Sequence, residues 1–170
     1  MQKPLLKIVT LILILSAIGL GVWLVNKNFF QQLVIKSIPG KNQPILSTLG
    51  PQDRVRIENN YQLILDSPVY FDLRTLPWFT RLRVNLIYQE AGRQLAGIGW
   101  QVGPGFQYQI QEPILSRSLA DGWQEAIFDL DLTKVYQQKN VKRFLISTLA
   151  AEEQEKGELE IQSLELTVER

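Results

Sequence analysis

The most continuous apolar stretch of the chain is Ile8 to Val25, IVTLILILSAIGLGVWLV, which has no charged side chain and only Thr10 and Ser16 as polar ones. As a helix that rises about 1.5 Å per residue, this stretch would span roughly 27 Å, close to the hydrocarbon thickness of a bilayer. A helix also satisfies every backbone polar group inside lipid. The pattern therefore predicts a membrane anchor, with the lipid bilayer as the partner of Ile8 to Val25.

A cleaved secretory signal is the alternative to a retained anchor, because Lys3 and Lys7 precede the apolar stretch. The stretch is longer than the usual apolar region of a signal peptide, and no small-x-small cleavage pattern follows it, which favours retention. Lysines on both sides leave the positive-inside rule nearly balanced. We expect a single-pass protein of the cytoplasmic membrane whose C-terminal domain is extracytoplasmic, as is usual for one N-terminal span.

The two segments after the anchor differ in pattern. Four apolar residues at helical spacing predict that the anchor continues as a juxtamembrane helix, so that residues 1–38 form one unit; they are Phe29, Phe30, Leu33 and Val34. Prolines and glycines are then frequent, which predicts a stalk without firm structure over residues 39–53. The folded domain is expected over residues 54–170.

From Arg54 onward, apolar and polar residues alternate with a period of two, which is typical of half-buried strands. About eight short strands, separated by turn signals such as Asn59-Asn60 and Gly103-Pro104-Gly105, predict an all-β fold. In the last strand the apolar phase changes between Ile161 and Leu164, which predicts a β-bulge near Gln162-Ser163. We therefore expect a jelly-roll-like antiparallel β-sandwich after one transmembrane helix.

Composition agrees with a packed domain and excludes several kinds of chemistry. The chain is 45% hydrophobic and 21% charged, close to the average for globular proteins. It contains no cysteine and no histidine, which excludes disulfides, thiol nucleophiles, imidazole bases and zinc sites built from those residues. The formal net charge is +1 and the basic residues are scattered among acidic ones, so no nucleic-acid partner is expected.

Several strands resemble the galactose-binding-like jelly roll of carbohydrate-binding modules. They are Pro68 to Arg74, PVYFDLR, then Arg81 to Tyr88, and the closing pair Arg143 to Leu149 and Leu159 to Glu169. The chain also resembles membrane-anchored proteins of small-genome bacteria that have a similar VYFD-containing strand. The resemblance implies that a structural calcium could be present, and no other cofactor is expected. No ligand-binding motif of a named family matches residue by residue.

Carboxylates are the candidate catalytic and metal-binding groups, since glycoside hydrolysis can run on Asp and Glu alone. Asp129 and Asp131 share the outward face of one strand, and Asp72 lies on another. A solvated strand face is the simpler interpretation, because nothing nearby predicts the desolvation that would separate their pKa values. Asp129 and Asp131 are also the candidate calcium ligands. We expect no catalytic residue and a protein that is not an enzyme.

Aromatic residues in two loops are the candidate ligand-binding groups. Trp78 and Phe79 follow Pro77, and Trp123 follows a turn signal. Exposed flat rings can stack on sugar rings, so a carbohydrate site would form if both loops lay at the same end of the sandwich. The competing interpretation is that the tryptophans fold back over the core, because large aromatic side chains are mostly buried. Trp100 shares the apolar phase of Ile98 and is expected in the core.

These patterns favour binding over catalysis. The leading hypothesis is a membrane-anchored binding or scaffolding domain that holds a partner protein or an envelope glycan near the membrane. The alternative is a carbohydrate-binding module that uses the loop tryptophans. A carboxylate-based glycan hydrolase is the third hypothesis.

Overall fold

A computed structural model describes the backbone of residues 2–28, 31–150 and 157–170, and the side chains of 7–23, 31–150 and 157–170. The chain divides into two compact units, Met1–Gln31 and Gln32–Arg170. The folded domain therefore begins at Gln32 rather than at the predicted Arg54. Phe29 and Phe30, which were assigned to a juxtamembrane helix, lie outside the described residues.

The first unit contains helix α1, Gln2–Asn28. Its large apolar side chains between Ile8 and Trp23 are exposed. No helix among the residues with described side chains is long and apolar enough to cross a membrane.

The second unit is built from β-strands, as the alternating pattern predicts. The described residues contain twelve strands: β1 Gln32–Lys36, β2 Val55–Glu58, β3 Tyr61–Ile64, β4 Val69–Arg74, β5 Arg81–Ala91, β6 Arg93–Gln101, β7 Tyr108–Gln111, β8 Leu115–Ser118, β9 Gln124–Asp131, β10 Gln137–Gln138, β11 Val141–Ala150 and β12 Glu158–Glu169.

The strands form two antiparallel sheets. The first sheet has the order β2-β3-β12-β5-β9-β8, and β1 also pairs with β12. The second sheet has the order β10-β11-β6-β7, and β4 pairs with the other side of β11. From β4 to β6 and again from β9 to β12, the chain passes back and forth between the sheets. The predicted all-β antiparallel sandwich is confirmed.

The core lies between the two sheets and follows the predicted phase of alternation. Val69, Phe71 and Leu73 of β4 are buried, as are the alternate residues of β5 from Leu82 to Leu86. The Phe71 and Phe144 rings stack in the centre of the second sheet, with centroids 5.4 Å apart. Trp100 is 6% exposed and packs in this core, where the sequence placed it.

Residues 32–38 of the predicted juxtamembrane helix and the predicted stalk, 39–53, belong to the sandwich. Residues 32–36 form β1, which is paired with β12 from Glu165 to Glu169, and Ile35 is buried. Leu46 and Leu49 are 1% and 4% exposed, and bridges run from Leu46 to Leu73 and from Gly50 to Tyr70. These corrections have one physical reason: burial of apolar side chains and pairing with strand edges outweighed local helical spacing and proline content.

The bulge predicted in the last strand is present. The pairing of β12 with β5 shifts between Ile161 and Ser163. The shift returns Leu164, Leu166 and Val168 to the buried face, which Leu159 and Ile161 occupy before it. One extra residue therefore keeps a twelve-residue strand in contact with the core along its whole length.

Candidate functional site

The outer face of the second sheet carries a row of polar and aromatic side chains. Residues that pair directly across strands point to the same face of a sheet. Arg143 of β11 pairs with Asp72 of β4, and Gln101 of β6 pairs with Tyr108 of β7. Asp72 and Arg143 each lie between buried residues of their strands, and Gln101 follows the buried Trp100. These three residues therefore face away from the sandwich core, and Tyr108 shares their face through its pairing with Gln101.

Glycines in β6 allow this outer face to be concave. Gly97 and Gly99 lie on it, and a Cβ at Gly99 would be 2.9 Å from the side chain of Leu145 on β11. Tyr70 of β4 and Tyr108 of β7 are separated by two strands, which is about 14 Å in a flat sheet. Their ring centroids are 5.7 Å apart. The rings therefore converge over the centre of the sheet, and Leu145 is only 4% exposed although it points outward.

An ion pair is fixed beside these rings. The Arg143 guanidinium donates from Nε and Nη2 to the two carboxylate oxygens of Asp72, at 2.7 Å and 3.0 Å. The hydrogen bond to Asp72 is the main cause of a raised pKa of Arg143. Burial raises the pKa of the Tyr108 hydroxyl, and the charge of Arg143 opposes this. The two-point contact fixes the plane of the guanidinium in this face.

The turn between β6 and β7 displays an exposed phenyl ring. The amide Nε2 of Gln101 donates to the carbonyl of Gly105 at 2.7 Å, and the backbone N–H of Val102 donates to Gln107 O at 2.9 Å. Gly105 has φ +80°, in the left-handed region that favours glycine. Phe106 follows it and is 88% exposed. Local hydrogen bonds thus hold the turn while its ring remains in solvent.

These elements enclose a groove of about 410 Å³, which we call the outer groove. One side is the β6–β7 turn with Phe106 and Tyr108, and the base is the Asp72–Arg143 pair. The hairpin from β10 to β11 closes the other side with Gln138, Lys139 and Val141. The volume lies within the range of small-molecule sites. The outer groove combines an exposed ring, a fixed ion pair and two amide side chains.

Trp78 and Trp123 do not share a site. Trp78 precedes β5, and Trp123 immediately precedes β9. These strands are antiparallel, with Arg81 opposite Asp131 and Tyr88 opposite Gln124. Seven residue steps, about 24 Å, therefore separate the two loops along the sheet. The condition for a joint stacking site, that both loops lie at one end, is not met.

Each predicted loop aromatic has a partner within the domain. Trp123 is partly buried and its ring lies 5.3 Å from that of Tyr61. Trp78 is 37% exposed, with the guanidinium of Arg170 at 5.9 Å from its ring centroid. Phe79 is 7% exposed and lines a separate apolar pocket of about 370 Å³ with Leu33. These contacts resemble core capping more than an open stacking platform.

The candidate carboxylates are held by donors. Arg83 binds both oxygens of Asp129, at 2.8 Å and 3.2 Å. Asp131 accepts from the hydroxyl and backbone N–H of Thr133, and these bonds lower its pKa. Asp72 is bound by Arg143. The lowered pKa of Asp131 favours its ionised form, whereas a general acid at neutral pH needs a raised pKa.

The candidate calcium ligands Asp129 and Asp131 line a groove of about 400 Å³ on the first sheet, together with Glu169. The same groove contains Arg81 and Arg83, whose charges oppose a cation. Over residues 7–23, 31–150 and 157–170, no group of three or more acidic, histidine or cysteine residues could hold a metal ion.

The sequence alone does not indicate most of the outer groove. Phe106 is not among the candidate residues that it predicts, and Arg143 is predicted only as part of a strand. The sequence feature that could have indicated the groove is the pair Gly97 and Gly99, which is followed by the polar and aromatic strand β7. Glycine inside a strand often marks a place where other residues approach the strand closely. Asp72 alone was a candidate, and its role in the structure is that of a partner to Arg143.

Neither a protein-family model nor a curated protein matches the chain. Among solved structures, the chain is similar to CBM29_1, a family 29 carbohydrate-binding module from Piromyces equi. The match has a TM-score of 0.48 and 11% sequence identity, and covers 81% of this chain and 91% of that chain. A similarity at this level does not assign a ligand to the chain.

Proposed function

We propose that the domain binds carbohydrate in the outer groove. The observation that carries the proposal is the position of Phe106, a phenyl ring 88% exposed at the wall of a groove whose base is an ion pair. Isolated exposed apolar residues are ordinary on protein surfaces and need no functional explanation. Phe106 differs from such residues, because its ring lies in a groove beside polar groups of fixed orientation.

A site for a sugar ring needs an apolar surface and polar groups side by side. Its C–H faces pack on an aromatic ring, while its hydroxyls project at the edges and require donors and acceptors of fixed direction. Phe106 supplies the flat apolar surface. Asp72 and Arg143 supply acceptor and donor atoms whose orientation their mutual contact sets. Gln138 supplies an amide that can donate and accept.

The test is glycan-array binding by the full-length chain in mild detergent, compared with the Phe106→Ala variant. Stacking on one exposed ring is worth about 1 kcal/mol, so the variant should bind about fivefold less tightly. Trp78→Ala is the matched control, because it removes an aromatic ring outside the outer groove. We expect the control to bind like the parent protein.

Two results would contradict this proposal. Failure of the parent chain to retain any glycan would remove carbohydrate binding. Unchanged binding in Phe106→Ala together with loss in Trp78→Ala or Trp123→Ala would transfer the site to the loop tryptophans, as in the alternative hypothesis.

Holding a partner protein is the second candidate function, and one observation favours it. Exposed apolar side chains lie along the edge of the sandwich where β7 leads into β8, at Ile110, Ile114 and Leu115. Chemical cross-linking after mild extraction should recover a stable partner, and the Leu115→Lys variant should lose it. A monomer without cross-links in both proteins would exclude this function.

Helix α1 is proposed to hold the domain at a bilayer, with the domain on the extracytoplasmic side. Support comes from the uncharged sequence Ile8 to Val25 and from the exposed apolar side chains between Ile8 and Trp23. The full chain should therefore remain with membranes after alkaline carbonate extraction. Release into the supernatant would contradict the tether.

A further inference from the structure

The charges that line the outer groove do not cancel. Asp72 and Arg143 neutralise one another through their two-point contact. Lys139 is the remaining ionic side chain of the lining. Among residues 7–23, 31–150 and 157–170, no carboxylate lies within ion-pairing distance of its ammonium group. The outer groove therefore carries a formal charge of +1 from this lysine.

The backbone places Lys139 at a position that lysine rarely occupies. Lys139 and Asn140 connect β10 to β11 with φ of +50° and +64°, the left-handed values of a two-residue hairpin turn. Asparagine and glycine are favoured at such positions, whereas other side chains are strained there. The comparable turn between β2 and β3 uses Asn59 and Asn60, with φ of +49° and +69°. Of these two turns, the one beside the groove has a lysine.

We propose that the outer groove recognises an acidic sugar, a uronate whose carboxylate pairs with Lys139 while its ring lies on Phe106. This inference rests on the proposed carbohydrate-binding function and names the ligand class for the same groove. Because Asp72 and Arg143 already neutralise each other's charge, Lys139 is the group that gains an ionic partner when an anionic ligand binds. The two-residue turn limits the positions that its ammonium can reach.

The size of the effect follows from the exposure of Lys139. An ion pair between solvent-exposed groups contributes at most about 1 kcal/mol, which corresponds to about fivefold in affinity. Salt screens such a pair, with a Debye length of about 8 Å at physiological ionic strength. The preference for a charged sugar should therefore be about threefold to fivefold at low ionic strength and should shrink at about 0.5 M salt.

The experiment measures binding of the full-length chain to oligogalacturonate, oligoglucuronate and oligomannuronate, each compared with its own methyl ester. Esterification removes the charge and keeps the sugar rings. The variant Lys139→Asn removes the ammonium and fits the left-handed φ, so its fold should be retained. The control Lys134→Gln removes a lysine that pairs with Asp131 outside the outer groove.

We expect the parent chain to bind at least one acid form about threefold to fivefold more tightly than its ester. Lys139→Asn should bind acid and ester equally, and Lys134→Gln should keep the preference. Equal binding of acid and ester by the parent chain would overturn the inference and leave carbohydrate binding intact. A preference that survives in Lys139→Asn would also overturn it.

Two further outcomes separate this inference from other possibilities. Tighter binding of sulfated or phosphorylated oligosaccharides than of the uronates would overturn the assignment to a carboxylated sugar. Absence of binding to any acidic or neutral glycan would refute the proposed function itself. The two failures are therefore distinguishable in one series of measurements.

Discussion

The ion pair between Asp72 and Arg143 should stabilise the fold measurably, and a second pair in the same domain provides its control. Both Asp72–Arg143 and Asp129–Arg83 are two-point contacts between directly paired residues of adjacent strands. They differ in exposure: the Asp72 side chain is 26% exposed, whereas that of Asp129 is 47% exposed. Water screens the second pair more strongly, although its distances are similar.

The magnitude follows from that difference. Exposed ion pairs contribute about 0.2–1 kcal/mol, and good two-point geometry places a pair at the upper end of this range. We expect a coupling free energy of about 1 kcal/mol for Asp72–Arg143 and about 0.5 kcal/mol or less for Asp129–Arg83. The assay is a double-mutant cycle in denaturant unfolding, with Asp72→Asn, Arg143→Gln and the double variant, and the equivalent cycle at the control pair.

A coupling below about 0.3 kcal/mol for Asp72–Arg143 would refute the reasoning, since the base of the outer groove would then not be held by the pair. Equal coupling free energies in the two cycles would refute the claim that the lower solvent exposure of Asp72 strengthens its ion pair. Raising the salt concentration should weaken the control pair by the larger fraction.

Three other predictions test the packing. Thr75→Val should raise the free energy of unfolding by about 1 kcal/mol, because the buried Thr75 hydroxyl has no hydrogen-bond partner among the described residues. Chemical denaturation measures this, and a loss of stability would contradict it. Gly97→Ala should lower the free energy of unfolding by about 2–3 kcal/mol in the same assay, because φ is +150° and a Cβ would collide with the carbonyl oxygen of Gln111. As a control, Gly19→Ala should lower it by less than about 0.5 kcal/mol, because a Cβ at Gly19 would have nothing within 4 Å. Burial raises the pKa of the Tyr88 hydroxyl above its usual 10.0. The contribution of this hydroxyl to stability is therefore complete below pH 10 and is lost as the pH rises through the higher folded-state pKa. In that alkaline range Tyr88→Phe should lose less stability than the parent chain, and parallel curves of stability against pH would contradict this.

The strands that bury one face could be predicted because alternation is a local signal. In β4, Val69, Phe71 and Leu73 alternate with Tyr70 and Asp72 both in sequence and in exposure. The bulge in β12 could also be predicted from the sequence, because a strand whose apolar phase changes needs an extra residue to keep one face buried. Strand β8 carries no such signal, because all four of its residues are exposed and leave no alternation to detect.

Errors arose where distant contacts decided local structure. Leu46 and Leu49 lie among prolines and a glycine, so the sequence indicated a stalk. In the structure both leucines are buried, and this segment pairs with the edge of β4. The outer groove has the same origin. Asp72, Phe106 and Lys139 are separated by more than thirty residues at each step, and only strand order and the curvature of the second sheet bring them together. Gly97 and Gly99 indicate a close approach over β6, but a local pattern does not indicate which strands and turns meet there.

The central claim is that sugar binds in the outer groove, and NMR mapping tests it most directly. An isotope-labelled full-length chain in detergent would be titrated with the oligosaccharide that binds most tightly. The largest shift changes should fall on the backbone amides from Gly105 to Tyr108 and on Lys139, while the indole signals of Trp78 and Trp123 remain unchanged. Changes confined to those indoles, with none between Gly105 and Tyr108, would contradict the account.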